Sequence, residues 1–137
     1  MTKGIRLLAA NTIAVAGLVT IAACGGGGGT PTNPGTGGGS PGPSGATVTI
    51  SNGRVSPASV TITVGQSVTF VNNDGRTHNM TSDPHPEHNA CPPINAVGNI
   101  GNGQTKLTNA MTTARVCGFH DHDDPDNGNL KGSITIQ

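Results

Sequence analysis

Val60-Thr61-Ile62-Thr63-Val64-Gly65-Gln66-Ser67-Val68-Thr69-Phe70-Val71 alternates β-branched or aromatic residues with polar ones on both sides of a Gly-Gln turn. A period of two sends one set of side chains to a buried face and the other to solvent, so this stretch predicts two half-buried strands. The same alternation recurs in Thr47-Val48-Thr49-Ile50 and in Gly132-Ser133-Ile134-Thr135-Ile136-Gln137. Weaker versions cover Gln104 to Asn109 and Thr113 to His120. Turn residues separate the runs: Ser51-Asn52-Gly53, Gly65-Gln66 and Asn72-Asn73-Asp74-Gly75. No helical stripe competes with them. Many short strands with frequent turns predict an all-β domain, an antiparallel Greek-key β-sandwich. Thr81 to Gln104 is a long irregular connection, the kind that is functional or pinned by a crosslink.

Upstream the composition changes twice. Lys3 and Arg6 precede an apolar run, Leu7 to Ala23, that ends in small residues, the layout of a secretory signal peptide over residues 1–23. Ile21-Ala22-Ala23-Cys24 resembles a bacterial lipobox, in which Cys24 is lipidated and becomes the mature N-terminus. Gly25, rather than Asp, then resembles the pattern for outer-membrane sorting. Gly25 to Gly45 holds eleven Gly and four Pro. It has too little apolar surface to offset the entropy of ordering, so residues 24–45 read as a flexible tether. Such a chain spans roughly 25 Å on average and about 70 Å at full stretch. The expected protein is exported and lipid-anchored at the cell envelope, on the periplasmic face of an outer membrane where two membranes exist. Residues 46–137 are left as one small folded domain.

Formal net charge is zero among 137 residues, and loss of Lys3 and Arg6 leaves the mature chain slightly acidic. No basic patch fits nucleic acid. With two Phe and no Trp or Tyr, stacking on bases or sugars is excluded as well.

Chemistry concentrates in Cys117-Gly118-Phe119-His120-Asp121-His122-Asp123-Asp124-Pro125. The five His stand at 78, 85, 88, 120 and 122, in or beside the connections at one end of the expected sandwich. Imidazole is a good ligand for copper and zinc. The i, i+2 spacing of His120 and His122 places both rings on one face of a continuing strand. His78, His120 and His122 are the candidate ligands of one metal ion. Pro86 forbids a regular helix across His85-Pro86-Glu87-His88, so this is no zinc-protease helix. His85 and His88 read as surface residues, with a second site as the alternative. Asp121, Asp123, Asp124 and Asp126 form an acidic run that either attracts cations or a basic partner or is simply solvated. Once Cys24 is lipidated, Cys91 and Cys117 remain as an even pair in an oxidising compartment, where such pairs join.

Val55 to Asp74 followed by His78, and Leu130 to Ile136 at the other end, resemble the first strands and the last strand of the cupredoxins, the plastocyanin and azurin group. The resemblance implies a Greek-key sandwich, a copper ion, no enzymatic activity, and electron transfer or copper handling with a redox or copper-exchange partner. It spans nearly the whole domain, but the ligand loop departs from the family. In one alignment Cys117 and His120 match Cys-x-x-His, with Leu130 near the axial Met. Cys117 is then a blue-copper thiolate. In the other, Phe119 to Pro125 matches the same motif with Asp121 in place of the Cys and Asp124 in place of the His. That version favours a non-blue Cu(II) site of nitrogen and carboxylate ligands, and a Cys91–Cys117 disulfide; copper is preferred to zinc. Some plant cupredoxins likewise hold this loop with a disulfide. Two readings from other classes stand beside it. Gly118-Phe119-His120-Asp121-His122 is similar to the Gly-Phe-His-x-His of copper–zinc superoxide dismutase, although only fifteen residues follow it here and none is His. A metal-free adhesion or scaffold sandwich is the third.

Overall fold

The computed structural model describes residues 40–137. The signal segment, Cys24 and most of the tether lie outside the described residues. Among the described residues nine strands run in chain order: β1 (Ser44–Ser51), β2 (Arg54–Ser56), β3 (Ser59–Ile62), β4 (Ser67–Asn72), β5 (His78–Ser82), β6 (Gly98–Ile100), β7 (Thr105–Leu107), β8 (Arg115–Asp121) and β9 (Gly132–Ile136). They form one sheet of order β2-β1-β4-β7 and another of order β3-β9-β8-β5-β6. Short 3-10 turns cover Pro92–Ala96 and Gly128–Leu130.

Most of the residues that the alternation selects are buried, with Val64, 45% exposed, as an exception. Val48 and Ile50 of β1, Val68 and Phe70 of β4, and Ile134 and Ile136 of β9 all lie in the core between the sheets. The chain's two aromatic side chains meet there, Phe70 from one sheet and Phe119 from the other. Their rings pack edge to face at 5.2 Å between centroids, an arrangement worth about 0.5–1.5 kcal/mol beyond area burial. At Asn52-Gly53 both residues have positive φ, 52° and 68°, which a two-residue turn between β1 and β2 demands.

Two expectations change. The sandwich is not wholly antiparallel: β1 runs parallel to β4, with Val48 beside Phe70, and β3 runs parallel to β9, with Val60 beside Ile134. Alternation fixes which side chains turn inward but carries no information on the direction of a neighbour. The folded part also starts before residue 46. Ser44 and Gly45 belong to β1, Gly42 N–H donates to Ser67 Oγ at 2.8 Å, and Ser67 N–H donates to Pro43 O at 3.0 Å. A Gly/Pro-rich segment orders there because β4 offers it backbone partners, which composition cannot reveal. His78, expected in or beside a connection, is the first residue of β5.

Candidate metal centre

The register between β5 and β8 decides which histidines can meet. Met80 pairs with Asp121 and Thr81 with His120. Directly paired residues share a face and successive residues alternate. His78, Met80, Cys117, Phe119 and Asp121 therefore point between the sheets. Thr81, Gly118, His120 and His122 point to the outer face of the five-stranded sheet.

His78 is accordingly parted from His120 and His122, and the expected three-ligand set does not assemble. The His78 side chain is wholly buried. Its Nδ1 lies 2.7 Å from Asp121 Oδ2 and its Nε2 lies 3.0 Å from Asp74 Oδ2. An ion would have to break one of these contacts to reach either nitrogen. Asp121 Oδ1 also accepts the backbone N–H groups of Asn79 and Asp123, so this member of the acidic run is an interior residue. Asp74 sits on a turn built by Asn72, whose Oδ1 accepts Asp74 N–H and whose amide donates to the Arg76 and Ile100 carbonyls. The Gly53 N–H and then the His78 ring hold the Asp74 carboxyl below its ordinary range, against the smaller effect of burial.

Cys117 is joined to Cys91, with Cα atoms 5.8 Å apart, so it is not a free thiolate. Of the two alignments, this excludes the one that makes Cys117 a copper ligand. In the other, Asp121 replaces the thiolate, and here that carboxylate bonds directly to His78.

Outside, a different constellation forms. Residues 83–91 fold across the outer face of β8. Asp83 N–H donates to Gly118 O, His88 N–H to Pro84 O and Ala90 N–H to Asp83 O. Cys91 N–H donates to Ser82 Oγ, and the Asn95 amide donates to His88 O. His88 holds a positive φ of 49°, an uncommon conformation for a residue with a side chain, which the surrounding bonds maintain. His85, His88 and His122 each offer a nitrogen within 4.8 Å of the other two. His122 Nδ1 and His88 Nε2 are 3.3 Å apart. Burial pushes the His88 imidazole below its ordinary value, and the neighbouring His122, His120 and His85 rings push the same way against a weaker pull from Glu87. His88 is thus kept neutral, with a lone pair to offer. The His120 ring packs at 5.6 Å from that of His85 and 5.2 Å from that of His88.

His85 and His88, read from the sequence as surface residues with a second site as the alternative, both belong to this three-histidine cluster, and His85 is exposed. One sequence signal bears on His88. His88 stands three residues before Cys91 and His120 three after Cys117, so the expected disulfide already drew the two histidines together.

The two packed sheets give this chain the cupredoxin fold. A purple cupredoxin from Nitrosopumilus maritimus matches it with TM-score 0.53 and 20% identity, over 67% of this chain and 99% of that one. Plastocyanin from Dryopteris crassirhizoma matches with TM-score 0.51 and 19% identity, over 66% and 99%. A Cu(I) form of an amicyanin variant matches with TM-score 0.50 and 15% identity, over 68% and 82%. No protein-family model and no curated protein matches the sequence.

Proposed function

We propose that this is a copper-binding protein of the cell envelope that captures and passes on the ion through His85, His88 and His122. The observation that carries the reading is the convergence of three imidazole nitrogens within 4.8 Å of one another. Neutral nitrogen donors suit copper and zinc rather than magnesium or calcium. The fold neighbours, one of them a Cu(I) protein, favour copper of the two. Without a thiolate the site lacks the sulfur-to-copper bond of a blue centre. His85 is exposed, so a donor from a partner protein can take its place on the ion, which suits transfer better than long-range electron tunnelling from a buried centre. The lipid anchor at Cys24 and the tether would hold this domain within reach of such a partner.

Copper titration of the full chain tests the proposal. The expected outcome is one ion per chain, a pale spectrum with nitrogen hyperfine structure in spin resonance, and no intense blue band. His85→Ala, His88→Ala and His122→Ala should each weaken binding by at least about 100-fold, since even residues behind the ligands commonly matter 10–100-fold. Absence of copper binding, or indifference to all three substitutions, would leave the scaffold reading in its place. The superoxide dismutase-like reading gains one point, because His120 and His122 share the face of β8 that the loop histidines cover. Dismutation near the diffusional limit by the copper-loaded chain would establish it.

A further inference from the structure

We infer that His120 is the fourth ligand of this centre and that Asp83 is the residue that aims it. This rests on the proposed metal site and adds to it a closed coordination shell and its support. His120 Nδ1 lies 2.6 Å from Asp83 Oδ1, while its Nε2 has a single long contact, 3.5 Å to Thr81 Oγ1. A carboxylate that accepts Nδ1–H fixes the tautomer and leaves the Nε2 lone pair free, the usual support of a metal-bound histidine. The ring is almost fully buried, 2% exposed, so that lone pair is shielded from water.

Five of the six ring spacings fit four ligands around one point, although only His85, His88 and His122 already bring a nitrogen within 4.8 Å of one another. With ion–nitrogen bonds of about 2.0–2.1 Å, imidazole centres stand roughly 3.2 Å from the ion, hence about 5.2 Å apart at the corners of a tetrahedron. In a square they would stand about 4.5 Å from neighbours and about 6.4 Å across. The separations are 5.4 Å for His85–His88, 5.6 Å for His85–His120, 5.2 Å for His85–His122, 5.2 Å for His88–His120 and 4.9 Å for His88–His122. Any square arrangement would put at least one of these five pairs across the diagonal, and none exceeds 5.6 Å. The 3.3 Å between His122 Nδ1 and His88 Nε2 is likewise close to a tetrahedral nitrogen–nitrogen edge, about 3.3–3.4 Å for the same bonds. The chain also makes room for Asp83. Its carboxylate lies over Gly118 of β8, where a Cβ would overlap Asp83 Oδ2. Gly118 is thus part of the support: any larger residue there displaces the carboxylate that holds His120.

The test uses the full chain carrying Cys24→Ser, which removes the one thiol outside the disulfide, with Co(II) as probe. Four imidazoles in a tetrahedron give intense ligand-field bands; a site completed by water gives weak ones. His120→Ala should collapse the intensity and weaken Co(II) binding by at least about 100-fold. Asp83→Ala should weaken it about 10–100-fold and lower the band intensity, and the double variant should be no worse than His120→Ala alone, because Asp83 acts through that ring. Gly118→Ala should reproduce the Asp83→Ala spectrum while keeping every carboxylate. Wild-type intensity in Asp83→Ala, or losses that multiply in the double variant, would overturn the role given to Asp83. Unchanged bands in His120→Ala would overturn the fourth ligand. Failure of the parent chain to bind Co(II) at all would instead sink the metal site and this inference together.

Discussion

At the scale of single residues, two histidines one sheet-thickness apart have opposite environments. His78 is locked between Asp74 and Asp121 inside the sandwich, whereas His122 meets His85 and His88 outside it. The interior group is held by hydrogen bonds whose loss leaves a buried polar partner unpaired, a cost on the order of 1–3 kcal/mol. Asp74 makes the pH dependence legible. Its folded-state pKa lies below the ordinary 3.8, so the unfolded chain takes up this proton first as acid is added. The stabilisation is therefore complete above the unfolded value and is lost as pH falls through the folded one. Asp74→Asn is expected to lower stability at neutral pH and to flatten the acid limb of the unfolding curve below about pH 4. Copper affinity at neutral pH should stay within about threefold of the parent, because His78 and Asp74 do not touch the outer cluster. Denaturant melts across pH, with copper titrations alongside, check both halves.

The elements divide the labour. β8 supplies His120 and its extension supplies His122, both on one face by strand alternation, with Gly118 clearing space two residues earlier. The loop at 83–91 supplies Asp83, His85 and His88. Neither element holds an ion alone; the Cys91–Cys117 bond is what ties them covalently. Closing a segment with a sequence separation of 26 restricts the unfolded chain by about 3.5 kcal/mol in the chain-entropy description. Reduction of the disulfide, or the Cys91→Ala, Cys117→Ala pair, is expected to lower unfolding free energy by about that amount. Metal affinity should fall with it, because His85 and His88 then lose their tether to β8. Urea melts and metal titrations of the oxidised and reduced chain provide the measurement. The hydrogen bonds from Asp83, Ala90 and Cys91 should keep part of the loop in place, so affinity is reduced rather than abolished.

For the whole molecule, an ion that binds only the folded state adds to its stability. At free copper 100 times the dissociation constant the gain is about 2.7 kcal/mol, a rise in melting temperature on the order of 10 °C for a domain of this size. A chelator should return the melt to its metal-free position. His85→Ala should shrink the shift in proportion to its lost affinity, and a shift of unchanged size would argue that the ion binds elsewhere. The apolar core of the sandwich is Val, Ile, Met, Leu, two Phe and the Cys91–Cys117 pair. The sandwich presents the outer face of β8 and fixes the loop across it, so that the imidazoles are held in place before any ion arrives.

Much of this was legible in the residues alone. Period-two runs such as Val68-Thr69-Phe70-Val71 carried the strands and their buried faces, because alternation is a local property of the chain. The even pair Cys91 and Cys117 carried the crosslink, and His120-Asp121-His122 carried two rings on one face. Strands β2, β5 and β6 escaped notice because each is short and lacks a clear alternation. The partner of the His120 and His122 face was beyond the sequence for a different reason. Whether His78 or His85 and His88 join it depends on strand register and on the path of a nine-residue loop between Ser82 and Pro92, and both are set by long-range contacts. One step along β5 separates the interior face from the outer one. The chain by itself named the chemistry of the candidate ligands, and only the packed sheets decided which imidazoles stand together, since a side chain's face is local but its neighbours across a sheet are not.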